Sequence, residues 1–286
     1  MTTFDSPRTD AAARAPRRRI RIDLGATASV LVLVFFVVAA VAPALLATHS
    51  PTAQDFAHAL QPPSLQFWFG TDEGGRDLYS RVVFGSRESL AIGVGAAGLA
   101  MVIALVLGTL AALGDRVTAA IVNRVLEVVF AFPTLLFSLL LVAILGPSAG
   151  TAILAVGVST APGYARMVRG QILSERNAGY VEAARALGHG RWRITRQHIL
   201  PNAMRPLIAI FTMSIGQSIV WASGLAFLGL GVAPPSSEWG ALLDAGRAYL
   251  LQAPWLTVIP GLVILVLALT ATTVGRFIQN RLETGE

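Results

Sequence analysis

Tyr180–Pro201, YVEAARALGHGRWRITRQHILP, is the longest strongly polar stretch between two very apolar regions of the chain. Arg185, Arg191, Arg193 and Arg196 crowd into it. Tyr180, Ala183, Ala184 and Leu187 fall at i, i+3, i+4 and i+7, so they form one small apolar stripe of a helix. Gly188 predicts the stop of that helix, Gly190 loosens the chain, and Pro201 predicts the end of a second short helix. The stretch reads as a water-facing helix–turn–helix loop inside a membrane protein. Alanines on an exposed stripe predict a surface built for close approach of a partner.

Composition supports that setting. Of 286 residues, 54% are hydrophobic and only 13% are charged. Soluble domains carry roughly a quarter charged residues. The chain has no Cys, which excludes disulfides, Fe–S clusters and thiol chemistry. It has no Lys either, since every basic residue is Arg. A P-loop needs its Lys on the phosphates and a Schiff base needs an amine, so both are excluded. The basic balance is read as membrane orientation, not nucleic-acid binding. His49, His58, His189 and His198 lack metal-ligand spacing, so no metal site is predicted.

Met1–Asp23 is polar and carries six arginines. Leu24–Thr48 follows without a charge. At about 25 residues it reads as a spanning helix, although Ala42-Pro43-Ala44 mimics a signal-peptide cleavage site. Residues 128–165 carry no charge, too long a run for one span, and divide at Gly146–Gly150. The apolar runs predict an all-α integral membrane protein of six transmembrane helices, at about 24–48, 89–114, 121–145, 148–166, 207–232 and 256–276. An external segment at 49–88, a cytoplasmic loop at 167–205 and an external connection at 233–255 separate them, with tails at 1–23 and 281–286. Gly93, Gly95, Ala97 and Gly98 predict close packing of the second span on a neighbour. Eighteen of the 22 arginines lie on the side of the termini; only Arg76, Arg81, Arg87 and Arg247 lie opposite. The positive-inside rule therefore places both termini and the Tyr180–Pro201 loop in the cytoplasm of a cell-membrane protein.

Glu182-Ala183-Ala184, Gly188 and Leu200-Pro201 resemble the EAA loop of the membrane subunits of ABC importers. His198 stands where that pattern usually has Ile. Gly70-Thr71-Asp72, Gly75-Arg76-Asp77, Ser80-Arg81, Gly85 and Ser89-Leu90 are similar to the external segment of dipeptide/oligopeptide/nickel permeases of the "C" type. Phe227–Gly231, Pro234-Pro235, Trp239-Gly240, Pro254-Trp255 and Pro260-Gly261 continue the resemblance, which covers most of residues 65–275. The ending Gly275-Arg276-Phe277-Ile278-Gln279 departs from it. The resemblance implies a type I ABC importer permease fold with a cytoplasmic coupling helix. Tyr180, Glu182, Ala183, Ala184, Leu187 and Gly188 would then dock on a nucleotide-binding subunit. Asp72, Arg76, Asp77 and Arg81 would shape the outer mouth and meet an extracytoplasmic solute-binding protein. A second homologous permease would complete the pathway. ATP and Mg would sit on the partner subunits, with no cofactor on this chain and no catalysis by it.

Ser214, Gln217, Ser218 and Trp221 in the fifth span can line a pathway or serve as interhelical hydrogen-bond glue. Glu127, near a helix end, is read as orienting that end through Arg124 at i−3. No acidic residue sits near the middle of a predicted span, which argues against a proton-coupled transporter. A stand-alone channel or secondary transporter is the distant alternative. Within the importer reading the substrate is di- or oligopeptides, with nickel, haem and glutathione as alternatives.

Overall fold

The computed structural model of the chain describes residues 24–233 and 235–284. The expected N-terminal tail 1–23, Pro234 of the expected Pro-Pro pair, and the last two residues of the expected 281–286 tail lie outside them. Ten α-helices follow in order among the described residues: α1 Leu24–Val41, α2 Leu78–Leu113, α3 Arg116–Phe130, α4 Thr134–Leu145, α5 Ala149–Arg176, α6 Gly179–Ala186, α7 Arg191–Ile194, α8 Leu200–Leu225, α9 Trp239–Arg247 and α10 Trp255–Thr284. Two π-helical turns, Thr195–Ile199 and Ala226–Leu230, flank α8.

Leu78–Leu113, Arg191–Leu230 and Trp255–Leu282 are each long and apolar enough to cross a bilayer, and α3 with α4 makes a fourth candidate if the bent pair acts as one span. The sequence predicts six spans; length and apolarity alone establish three or four. The expected first span stops early, because Pro43 opens a short 3-10 turn after α1. The second span begins at Leu78, not near Ser89: the Asp77 carboxylate accepts the Ser80 N–H at 3.0 Å and caps the helix. The expected straight span 121–145 is two helices bent by 88°. Pro133 between them forces the preceding residue away from helical geometry. Pro201 does not end a helix. It sits in the first turn of α8, where its missing N–H costs no bond, and the π turn carries the helix through from α7.

Small residues set the packing. Ala96, Ala97, Ala100 and Ala104 of α2 are fully buried. A Cβ on Gly108 would lie 2.7 Å from the Ala165 carbonyl oxygen of α5, so only glycine allows that approach. Gly93 and Ala97 are buried as expected and Gly95 meets Ile153, whereas Gly98 faces open space. Close contact of this kind is what holds helices together where lipid removes the hydrophobic drive. At one end of the bundle, Leu126, Val168, Ile172, Val181, Ala184, Ile194 and Ile199 share one core that joins α2, α3, α5, α6 and α8. At the other end, Phe36, Leu78, Val82, Trp239, Leu242 and Leu256 share a second. There the Trp239 ring is fully buried and its indole N–H donates to the Val82 carbonyl at 2.9 Å.

Candidate functional site

The loop at the first end is built on α6. Its N–H donors at the C-terminus close in a Schellman arrangement: Gly188 N donates to Arg185 O at 2.9 Å and His189 N to Ala184 O at 3.1 Å. Gly188 adopts φ +79°, the left-handed conformation this cap requires. The expected stripe divides when folded. Ala184 is 5% exposed and joins Val181, which is fully buried, in the bundle core. It therefore cannot belong to an exposed docking face. Glu182, Ala183 and Leu187 remain outward, and Tyr180 is 41% exposed. The Tyr180 hydroxyl donates to the Glu175 carboxylate and accepts from Asn202 Nδ2 at 3.3 Å, tying α6 to α5 and α8. Glu182 has no ion-pair partner within its own loop among the described residues.

Two features of this end escaped the sequence reading. Trp192 is 74% exposed, in the same class as Leu187 at 76%. Its signal was present as an aromatic residue between Arg191 and Arg193. The second is the neighbourhood of His198: its ring lies parallel to that of His189 with centroids 6.3 Å apart, and its centroid is 6.3 Å from that of Tyr180.

At the opposite end, the acidic and basic residues expected at an outer mouth are turned inward. Asp72 and Asp77 are each 2% exposed and Arg81 is 4% exposed. Asp72 Oδ1 accepts the N–H groups of Gly74 at 2.8 Å and Arg76 at 3.0 Å. Its Oδ2 accepts Arg76 Nε at 2.7 Å and Arg81 Nη1 at 2.5 Å. Arg81 Nη2 reaches the Ser236 carbonyl at 3.0 Å. Asp77 Oδ2 accepts the hydroxyls of Ser80 at 2.6 Å and Thr48 at 2.9 Å. Asp72, Asp77 and Arg81 are therefore closed to a partner, while Arg76 stays partly exposed. They fix the shape of the 49–77 segment and clamp it to the connection before α9. Beside them, Glu238 caps α9 through the N–H groups of Gly240 and Ala241. Burial pushes its carboxyl above the ordinary range, against the pull of those donors and of the Ser89 hydroxyl.

The fifth-span residues also separate. Ser214 and Ser218 are buried, and the Ser214 hydroxyl donates to the Phe211 carbonyl within its own helix. Trp221 packs partly buried against the core of α2, α4 and α5. Gln217 alone of the four is exposed, and it accepts the Tyr164 hydroxyl at 2.9 Å. Sequence spacing did not single out Tyr164, because its partner lies on another helix. Glu127 pairs with Arg124 at 3.4 Å, both largely exposed. Among the described residues no group of three or more His, Asp or Glu is placed to hold a metal ion.

Comparison with known proteins adds three findings. Residues 100–284 match the family described as binding-protein-dependent transport system inner membrane component. The probable D,D-dipeptide transport system permease protein DdpC of Escherichia coli K12 is 40% identical over 261 residues, covering 91% of this chain and 87% of that protein. The dipeptide transport system permease protein DppC of Alkalihalophilus pseudofirmus is 34% identical over 258 residues, covering 90% and 85%. The glutathione transport system permease protein GsiD of Pectobacterium atrosepticum is 35% identical over 267 residues, covering 93% and 89%. Among solved structures, an amino acid ABC transporter superposes with a TM-score of 0.59 at 16% identity, covering 70% of this chain and 94% of that one. The inward-facing MetNI methionine ABC transporter gives 0.54 at 21% identity, covering 69% and 96%. At these identities the structural likeness speaks for the fold.

Proposed function

We propose that this chain, which belongs to the family of binding-protein-dependent transport system inner membrane components, imports di- and oligopeptides as one permease subunit of an ATP-driven transporter. A second permease completes the pathway, nucleotide-binding subunits carry ATP and Mg, and an extracytoplasmic solute-binding protein delivers the substrate. The chain itself performs no catalysis. Both termini and α6 lie in the cytoplasm, as the arginine asymmetry supports.

One observation carries the coupling role. The outer side of α6, with Glu182, Ala183 and Leu187, is open to a partner, while its inner side, with Val181 and Ala184, is embedded in the core shared by α2, α5 and α8. A push on the outer side is therefore transmitted to the spanning helices as a rigid displacement, because packed cores do not deform continuously. Closure of the ATP-bound partner domains supplies the push. Gln217 with Tyr164 faces outward between α5 and α8 and offers hydrogen bonds suited to a peptide amide.

The substrate is tested by competition in vesicles holding the full complex. Unlabelled di- and tripeptides displace a labelled dipeptide at least about tenfold better than glutathione does. Displacement by glutathione, nickel or haem without displacement by peptides would replace this substrate assignment with that of the competing solute.

A further inference from the structure

A cavity of about 640 Å³ opens between the last turn of α2, the end of α5 and the α6–α7 segment. Its polar lining has one sign. Arg176, Arg185 and Arg191 contribute guanidinium groups, His189, Asn177 and Thr195 contribute neutral polar groups, and no carboxylate lines it. Among the described residues none of the three arginines has an ion-pair partner. Arg176 Nη1 reaches only the Ala112 carbonyl at 3.5 Å, and Arg185 Nη2 the Arg176 carbonyl at 3.2 Å. Each guanidinium carries five N–H donors, so most of theirs stay open. The His189 Nδ1 atom is buried without a partner. Three like charges around one space repel each other.

Guanidinium forks match phosphate oxygens in geometry as well as charge. We propose that this cavity binds a phosphate group, which ties α6 and α7 to the ends of α2 and α5 and stiffens the segment that transmits force. The headgroup of an anionic phospholipid and free phosphate share this chemistry.

The test uses the purified full chain in detergent, with retained lipid read by native mass spectrometry. Dioleoylphosphatidylglycerol is retained at least about tenfold more strongly than dioleoylphosphatidylcholine. Arg185→Gln with Arg191→Gln abolishes that preference, and Arg205→Gln, outside the cavity lining, leaves it intact. Both replaced arginines are exposed, and a monodisperse chromatographic profile shows that the variant remains folded. Competition on the unaltered chain needs no variant: inorganic phosphate displaces phosphatidylglycerol. Saturable phosphate binding without a lipid preference supports the site with free phosphate as its source. Binding of neither ligand, or an equal loss in Arg205→Gln, overturns the proposal. So does unchanged lipid retention in the double variant. The readout is binding and not uptake, so it stands apart from the substrate test.

Discussion

Ala183→Arg abolishes uptake while leaving the protein folded in the membrane, and Ala184→Arg removes the protein itself. The two alanines are neighbours in sequence but face opposite sides of α6. Ala183 is exposed on the side proposed to dock, where an arginine would hold the partner surface away. Loss of an anchor contact of about 2 kcal/mol or more lowers coupled uptake by at least about 30-fold. Ala184 is 5% exposed among Val181, Ile194 and Ile199. An unpaired charge there costs about 3–5 kcal/mol, a large part of the roughly 5–15 kcal/mol that stabilises a folded domain. Immunoblotting of membranes with gel filtration separates the outcomes. Normal amounts of folded Ala184→Arg would contradict the placement of α6 in the core.

Asp72→Ala is the second large effect. Asp72 accepts from two backbone N–H groups and from both Arg76 and Arg81. Its removal strands the buried Arg81, whose Nε already lacks a partner. Breaking one side of a buried pair costs about 3–5 kcal/mol, while replacing both partners by apolar residues of similar volume is often nearly neutral. Asp72→Ala therefore lowers the thermal midpoint by roughly 10 °C, and Asp72→Leu with Arg81→Met recovers the part due to the stranded Arg81 but not the part due to the unpaired Gly74 and Arg76 N–H groups. Equal loss in the single and double variants would show that this pair does not hold the 49–77 segment in place.

How far these features could be read in advance depended on range. The stop at Gly188 was legible because its cap is local: five residues and one left-handed glycine complete it. The family resemblance was legible from the order of three motifs. The inner face of α6 was not, because Tyr180, Ala183, Ala184 and Leu187 satisfy helical periodicity as well as Val181 with Ala184 does. Only the neighbours Ile194 and Ile199, supplied by another segment, decide which stripe is buried. The charges of the 49–77 segment were visible, but their inward direction was not. Arg81 reaches Asp72 nine residues back and Ser236 on a distant connection, and neither contact leaves a periodic trace. Similarly, the sequence predicts one span through Pro133, whereas the chain bends there by 88° between α3 and α4, a property of packing. Arg166 lies 4.0 Å above the Phe130 ring at that corner.

The central claim is that the exposed side of α6 receives the motion of ATP-hydrolysing partners. It is tested most directly by measuring ATP hydrolysis and labelled-dipeptide uptake together in proteoliposomes. These hold this chain, its second permease and the nucleotide-binding subunits, with loaded solute-binding protein outside. Uptake is expected to require ATP and binding protein, and to be lost in Ala183→Arg at unchanged protein level. Uptake by this chain alone, without nucleotide, would contradict it.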